Sequence, residues 1–103
     1  MLRIERTANE TNVFFKLSGR IGKEELAELE AQIKPETNKK HIVIDLKDVV
    51  LVDLNAVKSL DRLEMEKIQL TNAPRYIRAW IESERDRLRA ERAEISPTNK
   101  ESK

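Results

Sequence analysis

The chain has 103 residues, 39% hydrophobic and 38% charged, and its 20 basic and 19 acidic side chains leave a formal net charge of +1. That length holds one core, not two, and the balanced charge gives no electrostatic footprint for nucleic acid or an anionic membrane. The absence of cysteine excludes disulfides, thiolate chemistry and cysteine-ligated zinc, and with no signal-peptide core and no bilayer-length apolar stretch a cytoplasmic protein without membrane insertion is expected.

Leu2 to Thr7 alternate apolar and polar, the period of a half-buried strand. The polar run Ala8 to Asn12 suits a hairpin connection, although no glycine marks its turn type. Val13, Phe15 and Leu17 share one face of a second strand, expected antiparallel to the first. Ser18 to Gly22 holds both glycines of the chain and reads as the strand exit. A helix follows from about Lys23, with Leu26, Leu29 and Ile33 on one side and Glu24, Glu25, Glu28 and Glu30 on the other. The early glutamates suit the positive end of the helix dipole. Pro35 disfavours helical backbone at Lys34 and ends the element.

Glu36 to Lys40 reads as a polar loop. His41 to Leu46 is almost continuously apolar and β-branched, which predicts a central strand covered on both faces. Lys47 and Asp48 interrupt it, and Val49 to Val52 reads as an extended, largely buried connection. Asn55 is a favourable N-cap for the next helix, with Asp53 the alternative; Val57, Leu60 and Leu63 point inward from it. Ile68 to Thr71 predicts a short fourth strand. Asn72 to Pro74 is a break, with Pro74 suited to open a helix. That helix starts near Arg75 and carries Tyr76, Ile77, Trp80 and Ile81 as an apolar stripe. Glu82 to Glu94 is a charged, solvated helical extension supported by pairs such as Glu84 with Arg87 and Arg87 with Glu91. Residues 95–103 are expected to form a disordered tail.

The order β-β-α-β-α-β-α predicts an α/β domain. Its mixed sheet should have about four strands, with right-handed crossovers and helices packed mainly on one face. The divisions expected are a domain over residues 1–81, the extension over 82–94 and the tail.

Catalytic chemistry is sparse. The lone histidine, His41, opens an apolar strand and has no placed partner. Asp45, Asp48 and Asp53 cluster near one strand end, where ligands of open α/β sheets bind; they could hold magnesium or close turns and cap helices. No glycine-rich phosphate loop and no nucleophile motif is present. No cofactor and no enzymatic activity are expected.

Three segments together resemble the STAS domain, the fold of bacterial anti-sigma-factor antagonists. Phe15 to Ile21 looks like the family's strand ending in an L-x-G-x-I turn. Ile42 to Val49 looks like its central strand, V-V-V-D-L-x-x-V. Val52-Asp53-Leu54-Asn55-Ala56-Val57 lies where the family has I-D-S-S/T-G-L. The resemblance covers roughly residues 2 to 81 and implies a mixed sheet with helices mainly on one side. It also implies a non-catalytic module that binds partner proteins. In typical members a Ser or Thr in the third motif is phosphorylated by a partner kinase, which breaks the complex. That position matches Asn55 here, which has no hydroxyl; Leu54 replaces the preceding Ser and Ala56 the Gly, while Asp53 is retained.

The expected function is therefore protein interaction, regulatory and without phosphorylation switching at Asn55. The expected docking surface comprises Asp53, Leu54, Asn55 and Ala56 with Lys58, Asp61 and Arg62 on the outer face of the following helix. An anti-sigma-factor or kinase-like protein is the implied partner, and a homodimer is compatible with the sequence. The alternative is a small STAS-like subunit of a larger assembly, such as a transport complex, with Glu82 to Glu94 as its contact arm. A small-ligand or metal binder using Asp45, Asp48 and Asp53 ranks below both.

Overall fold

The computed structural model of the chain describes residues 2–95. In chain order the elements are β1 (Leu2–Ala8), β2 (Asn12–Ile21), α1 (Lys23–Ile33) continued by a 3-10 turn (Lys34–Glu36), β3 (His41–Val52), α2 (Leu54–Met65), β4 (Gln69–Thr71) and α3 (Arg75–Ile95). They form a four-stranded mixed sheet in the order β1-β2-β3-β4. β1 is antiparallel to β2, and β3 is parallel to both β2 and β4. The element order and the mixed sheet are those read from the sequence. Most of the tail expected over 95–103 lies outside the described residues; Ile95 itself ends α3.

An asparagine closes the β1–β2 hairpin. Asn9 Oδ1 accepts from the N–H groups of Thr11 (2.9 Å) and Asn12 (2.7 Å), an Asx turn that needs no glycine. The core lies between the sheet and the helices. Val13, Phe15, Leu17 and Ile21 of β2 and Ile42, Ile44 and Leu46 of β3 face it, met by Leu26, Leu29 and Ile33 of α1, Val57 and Leu60 of α2, and Ile77 and Ile81 of α3. Burying one such aliphatic side chain stabilises by about 1.5–3 kcal/mol before entropy is counted.

β3 departs from expectation in two ways. It is one strand of 12 residues, where a six-residue strand and a separate connection were expected. It is also covered on one face only: Val43 and Asp45 are only half-buried, and their β2 neighbour Phe14 is 40% exposed. Two register shifts against β2, between Lys16 and Ser18 and between Gly19 and Arg20, give β3 an extra residue each time. Such bulges re-aim the strand. They place Leu46, Val49 and Val52, three residues apart, on the core side, and leave Val50 and Leu51 exposed.

α2 ends without a glycine. Lys67 takes the left-handed conformation (φ 72°), Ile68 N–H bonds to Leu63 O and Lys67 N–H to Glu64 O. This is the Schellman arrangement with lysine in the position that usually holds glycine. α3 then runs unbroken through residue 82, and the expectation of a solvated extension fails at its first turns. Glu84 is buried (8% exposed) and Arg85 half-buried, because this part of α3 lies against α2. Farther along, Arg87 pairs with Glu84 and with Glu91 as expected.

Candidate partner-docking site

β2 and β3 are parallel and end on the same row, Ile21 opposite Val52. Each runs at once into a helix, so the starts of α1 and α2 sit side by side. At α1, Gly22 N–H donates to Glu25 Oε1 at 3.0 Å. At α2, Asp53 Oδ1 accepts from Ala56 N–H at 2.8 Å. The gap between the two starts is narrow: a Cβ on Gly22 would stand 3.1 Å from Glu25 Oε1 and 3.3 Å from Asp53 Oδ2.

Asp53, and not Asn55, is therefore the N-cap. Its backbone is extended while Leu54 is already helical, so Asn55 occupies the second helical position and its side chain is free for the surface. Of the expected docking residues, Asp53, Leu54 (42% exposed), Asn55, Lys58 and Arg62 are exposed. Ala56 and Asp61 are not: Ala56 is fully buried and Asp61 is 5% exposed, on the inner side of α2 where the outer was expected. Arg62 is held by Glu30 of α1 at 2.8 Å.

Sequence reasoning missed two neighbours of this site. Val50 (69% exposed) and Leu51 (48%) were expected to be buried, and the bulges turn them outward. Leu51 lines a shallow depression with Arg20, Gly22 and Asp53. The Tyr76 hydroxyl donates to Val50 O at 2.7 Å, so α3 braces the strand end. Nothing in Lys47 to Val52 taken alone signalled this, because a bulge is defined only against the neighbouring strand.

No family model matches the sequence, and no curated protein does. A solved structure, that of the anti-sigma factor antagonist SpoIIAA in its unphosphorylated form, is similar over 86% of this chain and 98% of that one, with a TM-score of 0.51 and 16% sequence identity. The chain has a STAS-like fold.

In this STAS-like fold α2 is tied to α3 by an ionic cluster that the sequence reading overlooked. Arg85 Nε donates to Asp61 Oδ1 at 2.8 Å and a terminal nitrogen of the same side chain donates to Glu64 Oε1 at 2.8 Å. Arg78 meets both oxygens of Glu64, each at 3.0 Å, in a two-pronged contact. The Arg78 hydrogen bonds, helped by Arg85 and opposed by partial burial, hold the Glu64 carboxyl below its ordinary range. The signal was present: Asp61 and Glu64 are three apart, and Arg78 and Arg85 seven apart, each pair on one helix face.

The three acids of the alternative magnesium reading are engaged separately. Asp45 accepts from Lys47 N–H and from the Asn72 amide, Asp48 pairs with Lys16, and Asp53 caps α2. Among the described residues no three His, Cys, Asp or Glu side chains gather as a metal site. His41 Nε2 lies 3.1 Å from Gln69 Oε1, a strand-to-strand contact. Among the described residues no helix is long and apolar enough to cross a membrane.

Proposed function

We propose that the chain is a non-catalytic regulatory module that binds another protein, in the manner of an anti-sigma-factor antagonist, through the rim where β3 passes into α2. The carrying observation is the exposure of Val50, Leu51 and Leu54 at that rim beside the neutral Asn55. Exposed apolar groups gathered at one place, flanked by polar ones, suit a protein partner. The docking surface is Asp53, Leu54, Asn55, Lys58 and Arg62 with Val50 and Leu51; Ala56 and Asp61 hold the helix from within. Asn55 stands where the family's phosphorylated hydroxyl lies, so docking here is independent of phosphorylation at that residue. A bacterial cytoplasmic setting fits the reading.

Asn55→Glu tests it. An acid in the first turn of a helix is favoured by the dipole by about 0.3–1 kcal/mol, so the fold should be retained or strengthened while the docking rim gains a negative charge. Capture of the native partner, identified with the unmodified protein, should fall at least tenfold in calorimetry. Unchanged affinity in both Asn55→Glu and Leu54→Asp would sink the assigned surface. The alternative, a subunit held in an assembly by residues 82–94, draws support from the exposed Asp86 and Arg89 on α3. Reversing both charges would abolish association under that reading and leave it intact under the first.

A further inference from the structure

We propose that β1 is a self-association edge, pairing with β1 of a second copy in one register, centred on Ile4. Among the described residues β1 is hydrogen-bonded on one side only, to β2, and so presents an open edge. Open edges pair with other strands unless something selects against it. On β1 the charges select.

The two faces of β1 are fixed by its contacts. Ile4 and Leu2 pack against the core, and Arg6 reaches Glu36 beyond α1, so the even-numbered residues lie on the helix side. Glu5 and Thr7 line the uncovered face with Phe14, Lys16 and Val43, and Arg3 pairs with Glu5 at 3.2 Å. A two-fold axis normal to the sheet brings like faces together, and therefore must run between one residue of the strand and the same residue of the second copy. Centred on Arg3 it sets Arg3 against itself. Centred on Glu5 it opposes two glutamates, and centred on Arg6 two arginines. Like charges directly opposite across strands are destabilising.

Centred on Ile4 the pattern becomes self-complementary. Ile4 meets the partner subunit's Ile4 on the core side and joins the two apolar interiors. Arg3 meets the partner subunit's Glu5, and symmetry repeats that pair. Leu2 lies beneath the aliphatic stem of the partner subunit's Arg6. The charges that deter the registers centred on Arg3, Glu5 and Arg6 thus admit this one, and registers centred on Leu2, Thr7 or Ala8 overlap over at most three residues of β1; the result is a continuous sheet across two copies. The overlap is short, Leu2 to Arg6, so association should be weak and concentration-dependent.

Sedimentation equilibrium of the full chain across a concentration series tests this. Arg3 and Glu5 side chains are 76% and 49% exposed, so Arg3→Glu should leave thermal unfolding near the parent's, while Glu5→Arg, set opposite Lys16 of β2, should lower it slightly. Arg3→Glu and Glu5→Arg alone should each weaken dimerisation by about tenfold or more. The two together should restore it, because the swapped pair regenerates the same complement. A parent chain that stays monomeric at every concentration overturns the proposal. So does a double reversal no better than the singles, which would show that the copies meet elsewhere. A second readout uses the absence of native cysteine: oxidised Ile4→Cys should cross-link the dimer far faster than oxidised Thr7→Cys, and equal rates would refute the register.

Discussion

Replacing Arg85 by methionine keeps most of the aliphatic stem and removes the guanidinium. Asp61, whose side chain is 7% exposed, then loses the donor that faces it, and Glu64 loses one of two arginines. Breaking a fully buried pair costs about 3–5 kcal/mol. Here Arg85 is 34% exposed, so water reaches the vacated side and the expected loss is about 2–3 kcal/mol, near that of a hydrogen bond to a charged group. For a domain of this size that lowers Tm by roughly 10–15 °C. Urea and thermal unfolding followed by circular dichroism would measure it. Adding Asp61→Asn to Arg85→Met removes the stranded charge and should recover about 1 kcal/mol. A single mutant within about 0.5 kcal/mol of the parent, a surface-pair magnitude, would refute the claim that α3 past Ile81 is integral to the fold.

Lys67→Gly should stabilise the chain by about 0.5–1 kcal/mol, since left-handed backbone costs a non-glycine residue about 1–2 kcal/mol and glycine gives back part in unfolded-state entropy; urea midpoints report it. Asp53→Ala should cost about 1 kcal/mol through the lost α2 cap, whereas Asp53→Asn should cost only a few tenths. The lowered Glu64 carboxyl gives a pH signature. Its folded value lies below the ordinary 4.5, so its contribution is present above that value and disappears as pH falls through the folded one. The stability gap between the parent and Glu64→Gln, read by urea unfolding at successive pH, should therefore narrow only below about pH 4.5.

The strands and helices were legible because their periods differ: Val13, Phe15 and Leu17 alternate, while Leu26, Leu29 and Ile33 do not. β3 defeated the same reasoning. Its bulges exist only relative to β2, so no inspection of Lys47 to Val52 alone could show that Val50 and Leu51 face out. The cap of α2 was ambiguous because Asp53 and Asn55 are both good capping residues, and the decision rests on where the chain leaves the sheet. Asp61 was misplaced for a different reason. Its spacing of four from Val57 puts it on the inner face, but an unpaired acid there is costly, and the arginine that neutralises it lies 24 residues later. The turn Asp53 to Ala56 keeps its importance with redistributed parts: Asp53 caps, Ala56 packs, and Leu54 and Asn55 remain exposed.

β3 spends 12 residues between the same end rows that β2 spans in 10. Those two surplus residues keep Asp53 level with Gly22, and so hold the amino ends of α1 and α2 at one height. Each helix carries about half a positive elementary charge at that end. The two together make a standing field over the rim, close to one full unit before Glu25 and Asp53 offset it. That part arises from peptide dipoles and has no proton to lose, unlike the carboxylates set against it.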